Sequence, residues 1–225
     1  DNLLLQQQGG LCQLLLPVLL HPNEEGEIEA ARALGNLSRW AEARQSICRG
    51  RVHEALIVLL EHPSPQVLEA SCGTLINLAA DSSCRQTLCD CHAISRLTEA
   101  MHGLVGLASS PDEPHASVAE NAAVLAGKTL CNLLCGDGHS LVRCLLDSDE
   151  ASQLLDLLEE ACTQARLLRW QDEDAAREWP QVADILRQVL SGWARAQVTI
   201  GHEVSHQPPR ESECLEELTP PSDHA

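Results

Sequence analysis

The 225-residue chain has no tyrosine, no phenylalanine and a single methionine, and it sets 15 Lys and Arg against 33 Asp and Glu, a formal net charge of −18. Each shortage removes a class of function. Nucleic-acid binding draws on a basic stripe along the phosphates and on aromatic rings that stack with bases. Here only Trp40, Trp170, Trp179 and Trp193 could stack, and an acidic chain repels polyanions, so no nucleic-acid partner is expected. The longest apolar run, Leu14-Leu15-Leu16-Pro17-Val18-Leu19-Leu20, is far short of the roughly 20 residues that cross a bilayer, and no membrane partner is expected. The opening Asp1-Asn2-Leu3-Leu4-Leu5-Gln6 lacks the basic segment of a leader and reads as the continuation of a longer chain.

An apolar fraction of 44% is enough for a packed core. The eleven cysteines are odd in number and sit mostly inside apolar runs, which predicts reduced thiols packed in a core, and hence a cytoplasmic protein, rather than a disulfide framework.

What organises the chain is a step of 41 residues. Gly9, Leu11, Leu15 and Leu19 recur as Gly50, Val52, Leu56 and Leu60, and His21-Pro22 returns as His62-Pro63. Leu34, Asn36, Leu37, Arg44 and Ile47 reappear as Leu75, Asn77, Leu78, Arg85 and Leu88. A further copy, Thr129-Leu130-Cys131-Asn132-Leu133, follows Thr74-Leu75-Ile76-Asn77-Leu78 at 55, one period and 14 extra residues. The Ser/Pro/acidic stretch Ala108 to His115 is expected to hold those extra residues as a surface loop. Within a period, helix formers with apolar residues three and four apart predict helices over Ala41–Cys48, Arg51–Glu61 and Gln66–Ala79, with Gly50 and Pro63-Ser64-Pro65 at the turns. Val52, Ala55, Leu56, Val58, Leu59 and Leu60 ring the middle helix on most sides, so one repeat cannot bury it alone and neighbours must stack on it.

Glu29-Ala30-Ala31-Arg32-Ala33-Leu34-Gly35-Asn36-Leu37-Ser38 resembles the third helix of an armadillo repeat, and Gly9-Gly10-Leu11 with the leucines after it resembles the second. The resemblance to the armadillo-repeat superfamily spans about residues 8 to 160. It implies an all-α, right-handed superhelical solenoid of three-helix repeats: a partial repeat over 1–40, a repeat over 41–80, a repeat with an inserted loop over 81–136, and an atypical terminal repeat over 137–195. In that last part an acidic, Trp-bearing loop is expected to lead to a capping helix near Glu178 to Trp193. Residues 196–225, acidic and Pro-rich, are expected to form a disordered tail. A narrower likeness runs from Gly35-Asn36-Leu37-Ser38 through Gly127-Lys128-Thr129-Leu130-Cys131-Asn132 to Glu178-Trp179-Pro180. It is to an armadillo branch that builds the ciliary or sperm-flagellar axoneme. That likeness implies an adaptor located in the cilium or flagellum, with axonemal or ciliary-transport components as partners.

Arg32 and Asn36, Gly73 and Asn77, and Lys128 and Asn132 are each four apart, so each pair shares a helical face. If the third helices line the inside of a curved stack, the three Asn form a ladder about 10 Å per layer, offering amide donors and acceptors to a partner's extended backbone. These six residues are the candidate protein-binding groove. The same amides could instead fix the neighbouring repeat by hydrogen bonds, and Arg32 could pair with Glu29. Import-type armadillo carriers place Trp four residues before each Asn; this chain has Arg32, Gly73 and Lys128 there, which weakens a catenin- or importin-like carrier as the alternative and favours acidic or mixed partner segments. Cys84, Cys89, Cys91 and His92 crowd together, but a single cluster without a second ligand pair reads as packing and no metal is expected. Cys131 stands in the slot of Ile76 and reads the same way. No phosphate-cradling glycine pattern, nucleophile elbow or opposed carboxylate pair occurs. The expectation is a non-enzymatic scaffold without cofactor or small-molecule substrate.

Overall fold

The computed structural model describes residues 8–110, 114–134 and 150–205. Ten α-helices and no strand occur among them. The chain divides into two units, Asp1–Ser191 and Gly192–Ala225. In the first, α1 (Gln8–Leu19) and α2 (Glu24–Leu37) form one layer. The second layer is α3 (Ala41–Arg49), α4 (Val52–Val58) with the 3₁₀ turn Leu59–Glu61, and α5 (Pro65–Ala80). The third is α6 (Ser82–Asp90), α7 (Ala93–Ala108) and α8 (Ala116–Leu134), followed by α9 (Glu150–Leu167) and α10 (Glu173–Ser205), whose residues from Gly192 on belong to the second unit. Consecutive third helices pack on each other, α2 on α5 and α5 on α8, and α9 packs on α7. This is an all-α solenoid of stacked three-helix repeats.

Local chemistry sets the helix ends. The Asn23 side chain accepts from Gly26 N, and Glu24, Glu25 and Glu27 fill the first turn of α2, where the helix dipole favours acids. Pro65 opens α5, a position where its missing N–H costs nothing. Asp81 ends α5 and caps α6 through Ser83 N at 3.0 Å. Between first and second helices the backbone turns through a left-handed residue, Arg51 at φ 58° and His92 at φ 59°, one period apart. Neither is glycine, so the stacked helices hold both in a conformation that L-residues resist.

The period is also visible in hydrogen bonds. Arg44 donates to the carbonyls of Ser38 at 3.0 Å and Arg39 at 3.1 Å, while Arg85 donates to those of Ala79 at 2.8 Å and Ala80 at 3.1 Å. Each arginine thus reaches from a first helix to the free carbonyls that end the preceding third helix. Arg44 additionally pairs with Asp81 at 2.7 Å.

The structure departs from the sequence reading in four places. Val58 is 61% exposed, and Ile57 takes the buried position in α4 instead. The 14 extra residues are not confined to a loop: α7 runs six residues past the end that the 3₁₀ turn sets one period earlier, and α8 begins four residues early, leaving four for the connection. Continuing an amphipathic helix satisfies the backbone internally, as an equally long loop would not. The acidic run Asp172-Glu173-Asp174 starts α10 rather than lying in a loop; Asp172 accepts from Ala175 N at 2.8 Å, and acids suit a helix N-terminus. Finally, α10 passes the expected boundary at 195 and continues to Ser205, because no breaker comes before Pro208. Residues 206–225, the rest of the expected tail, lie outside the described residues.

The capping helix is locked by a residue that no motif marks. Glu120, 1% exposed in α8, accepts from Gln171 N at 2.9 Å and from Asp172 N at 2.7 Å. Trp179, Val182, Ala183 and Leu186 are buried in α10, and a Cβ on Gly127 would come 2.6 Å from Val182, so α8 and α10 meet at van der Waals contact there. Glu120→Ala removes the charged acceptor of the Gln171 and Asp172 N–H groups, at a cost of about 3 kcal/mol. The expected result is a melting temperature lower by roughly 5–10 °C in a circular-dichroism melt, and a shift within one degree contradicts the lock.

Candidate protein-binding face

The six residues singled out in the sequence lie on α2, α5 and α8, consecutive third helices that pack in order. Arg32 and Asn36 are exposed; Gly73, Asn77, Lys128 and Asn132 are half-buried. Their polar atoms behave differently from layer to layer. Asn36 has no side-chain partner among the described residues. Asn77 Nδ2 donates to Gly35 O at 3.2 Å and to Ser38 Oγ at 2.9 Å, so both of its amide hydrogens point into the previous layer. Asn132 Nδ2 donates to Ile76 O at 3.4 Å. Gly35 and Ile76 are one period apart, so these are the same contact made twice. Thr74 Oγ1 adds a bond to Ala31 O at 2.8 Å, which is why Gly35 stays small: a Cβ there would sit 3.2 Å from that hydroxyl.

Asn77 and Asn132 therefore tie layers together, and the amide turned toward solvent is that of Asn36. The positions four residues earlier are also distinct. Arg32 pairs with Glu29 at 3.0 Å, and Lys128 pairs with Glu178 of α10 at 2.6 Å. Both cations expected to repel a basic peptide are matched by carboxylates, which removes much of that repulsion. Gly73, in the middle of α5, has no atom within 4 Å of where a Cβ would stand. A mid-helix glycine costs about 1 kcal/mol relative to alanine, and no neighbour here requires one; its effect is an open notch on the face. No repeat spacing marks Asn121, whose Nδ2 donates to Glu69 across α5 and α8, because the two are 52 rather than 55 residues apart.

The described cysteines are all free thiols. Complete burial pushes the Cys72 thiol up to about 12, and burial pushes Cys162 up to about 11, so both are inert core groups. Cys131 is 8% exposed on α8. Cys84 is buried on α6 beside Cys48, and the hydrogen bond between them, with burial, pushes Cys48 up. Cys91 meets neither Cys84 nor His92 in a metal-sized cluster. Its sulfur lies 3.6 Å from Nε2 of His53, one layer back. Among the described residues, His53, Glu54 and Cys91 are the group of three ligating side chains whose donor atoms fall within 4.8 Å of one another. No described helix is long and apolar enough to cross a membrane.

No family model matches the chain. It is 31% identical over 94 residues to armadillo repeat-containing protein 2 of Homo sapiens, a match covering 42% of this chain and 11% of that protein. The Bos taurus protein of the same name is 32% identical over 91 residues, covering 40% and 10%. The match thus spans about a tenth of the length of these curated relatives. Among solved structures, a designed armadillo repeat protein in complex with the peptide (KR)4 aligns with TM-score 0.43 and 20% identity over 83% of this chain and 84% of that one. Computationally designed armadillo repeat proteins for modular peptide recognition align with TM-score 0.41 and 17% identity, over 80% and 82%.

The hydrogen bonds separate the two exposed-looking asparagines experimentally. Asn77→Ala is expected to destabilise by about 1–2 kcal/mol, since it removes two hydrogen bonds into the previous layer, whereas Asn36→Ala stays within about 0.5 kcal/mol. Urea titrations of the two variants check this, and equal midpoints would contradict the inter-layer role of Asn77.

Proposed function

We propose that the chain is a non-enzymatic scaffold that holds a protein partner along its third-helix face, with Arg32, Asn36 and the notch at Gly73 as the points of contact. The observation that supports this most is the division of labour along the ladder. Asn77 and Asn132 spend their donors on fixing α2, α5 and α8 in register, which presents the exposed Asn36 amide and the Gly73 notch on a pre-organised surface. Such a surface binds without paying to order itself. Lys128 and Asn132 act as its structural border, since Lys128 is held by α10.

The similarity to armadillo repeat-containing protein 2 supports the finer reading, an adaptor in assembly of the ciliary or sperm-flagellar axoneme. The carrier alternative has less behind it, because the slots that would hold Lys stems between Trp rings carry Arg32, Gly73 and Lys128.

Filling the notch tests the face without disturbing the fold. A Cβ at Gly73 meets open space, so for Gly73→Trp melting is expected to stay the same or rise slightly, while proximity labelling of axonemal components in ciliated cells drops at least tenfold. Val58→Trp, at an exposed site on α4, serves as control and leaves labelling unchanged. Undiminished labelling by Gly73→Trp rules out this face, and labelling without ciliary components rules out the axonemal role.

A further inference from the structure

The positions equivalent to His53 one period before and after are Cys12 and Ile94, 0% and 8% exposed. An imidazole, itself 1% exposed, stands where the other layers place a core hydrophobe. Its partner departs from the pattern as well: Cys91 occupies the slot of Gly50. Two coordinated exceptions to the repeat thus face each other across consecutive layers, His53 on the first turn of α4 and Cys91 at the end of α6.

The geometry of the pair is that of ligands rather than of packing alone. His53 Nδ1 lies 3.4 Å from the carbonyl of Ile47. With the proton on Nδ1 donating to that carbonyl, the Nε2 lone pair is directed at Cys91 Sγ, 3.6 Å away. Metal-bound histidines are oriented by this kind of backbone contact. A tetrahedral zinc ion, at about 2.3 Å from sulfur and about 2.0 Å from nitrogen, holds those two atoms roughly 3.5 Å apart. Burial holds the imidazole below its ordinary value, and burial with the nearby Glu54 carboxylate holds the Cys91 thiol above its own. An S–H···N hydrogen bond accounts for the sulfur and the imidazole as a pair; a ligand set needs a third donor. The Glu54 carboxylate also converges, within 4.8 Å of both. Arg51 holds it from the side at 2.7 and 2.9 Å, and each of its oxygens keeps a lone pair for a cation.

We propose that His53, Glu54 and Cys91 form a three-ligand site for a zinc-class divalent cation, with a fourth position open to water, which staples α4 of one layer to the end of α6 in the next. One nitrogen, one sulfur and one carboxylate oxygen suit zinc over calcium or magnesium, which take oxygen ligands. On binding, the Cys91 thiol releases its proton to solvent and the thiolate becomes the ligand. Because the cation bridges two layers and its ligands are assembled only in the folded chain, it stabilises the stack by mass action.

The full chain, stripped with a chelator and kept reduced, is titrated with cobalt(II). The expected result is saturation at one equivalent with sulfur-to-cobalt charge-transfer absorption, displacement of cobalt by zinc, and a melting temperature that rises several degrees with zinc. Cys91→Ser, at a half-buried position, should lose the charge-transfer band and the zinc-induced shift, and Glu54→Gln should weaken binding about tenfold. His53→Gln is the companion variant, and its unliganded melt reports whether the core has been disturbed. Absence of the charge-transfer band in the wild type, or a band and zinc shift that survive Cys91→Ser, overturns the site.

Discussion

A helix that is apolar around most of its circumference cannot be covered by the two helices of its own repeat, and this constraint shapes the whole chain. Val52, Leu56, Ile57, Leu59 and Leu60 are all buried although their helix and its 3₁₀ extension are ten residues long together. They are buried because the layers before and after close over them. Stability in such a stack comes from contacts between neighbours, not from any repeat by itself. The end of the array then needs a different solution, and the chain supplies it with α10, whose Trp179 and Val182 lie against Gly127 of the last third helix.

Apolar contact alone does not fix register, since leucines slide past one another at little cost. Directional bonds do that here. The arginines at 44 and 85 grip the carbonyl ends of the third helices before them, and Asn77 and Asn132 bind carbonyls one period apart on α2 and α5. Glu120 performs the same service for the start of α10 through backbone N–H groups. The proposed function draws on that order: a face held in register from within can leave Asn36 and the Gly73 notch uncommitted.

The fold was legible in the sequence because the 41-residue step repeats identities as well as hydrophobicity, so that helices near 41–48, 51–61 and 66–79 differ from the observed ones by a residue or two. The Asn ladder was legible as a set of positions but not as a set of roles. Whether an amide looks outward or back into the previous layer depends on the stagger between helices, which spacing does not encode. Glu120 and His53 were invisible for a related reason: their partners are 51 and 38 residues away, distances that match neither the period nor a motif. The start of α10 at Glu173 was hidden by composition, since an acidic stretch looks the same in a helix's first turn as in a loop.

If inter-layer contact is what holds the molecule together, one complete layer should be a transferable unit. The direct measurement is a thermal and urea melt of a chain in which residues 41–81 are duplicated in tandem, so that the added copy carries Asn77 and Arg44 into the next layer. The account requires unchanged helicity per residue, a single cooperative transition, and a midpoint equal to or above that of the parent. A lower midpoint, or loss of cooperativity, would mean that the layers are not equivalent and that the register described here is not what stabilises the fold.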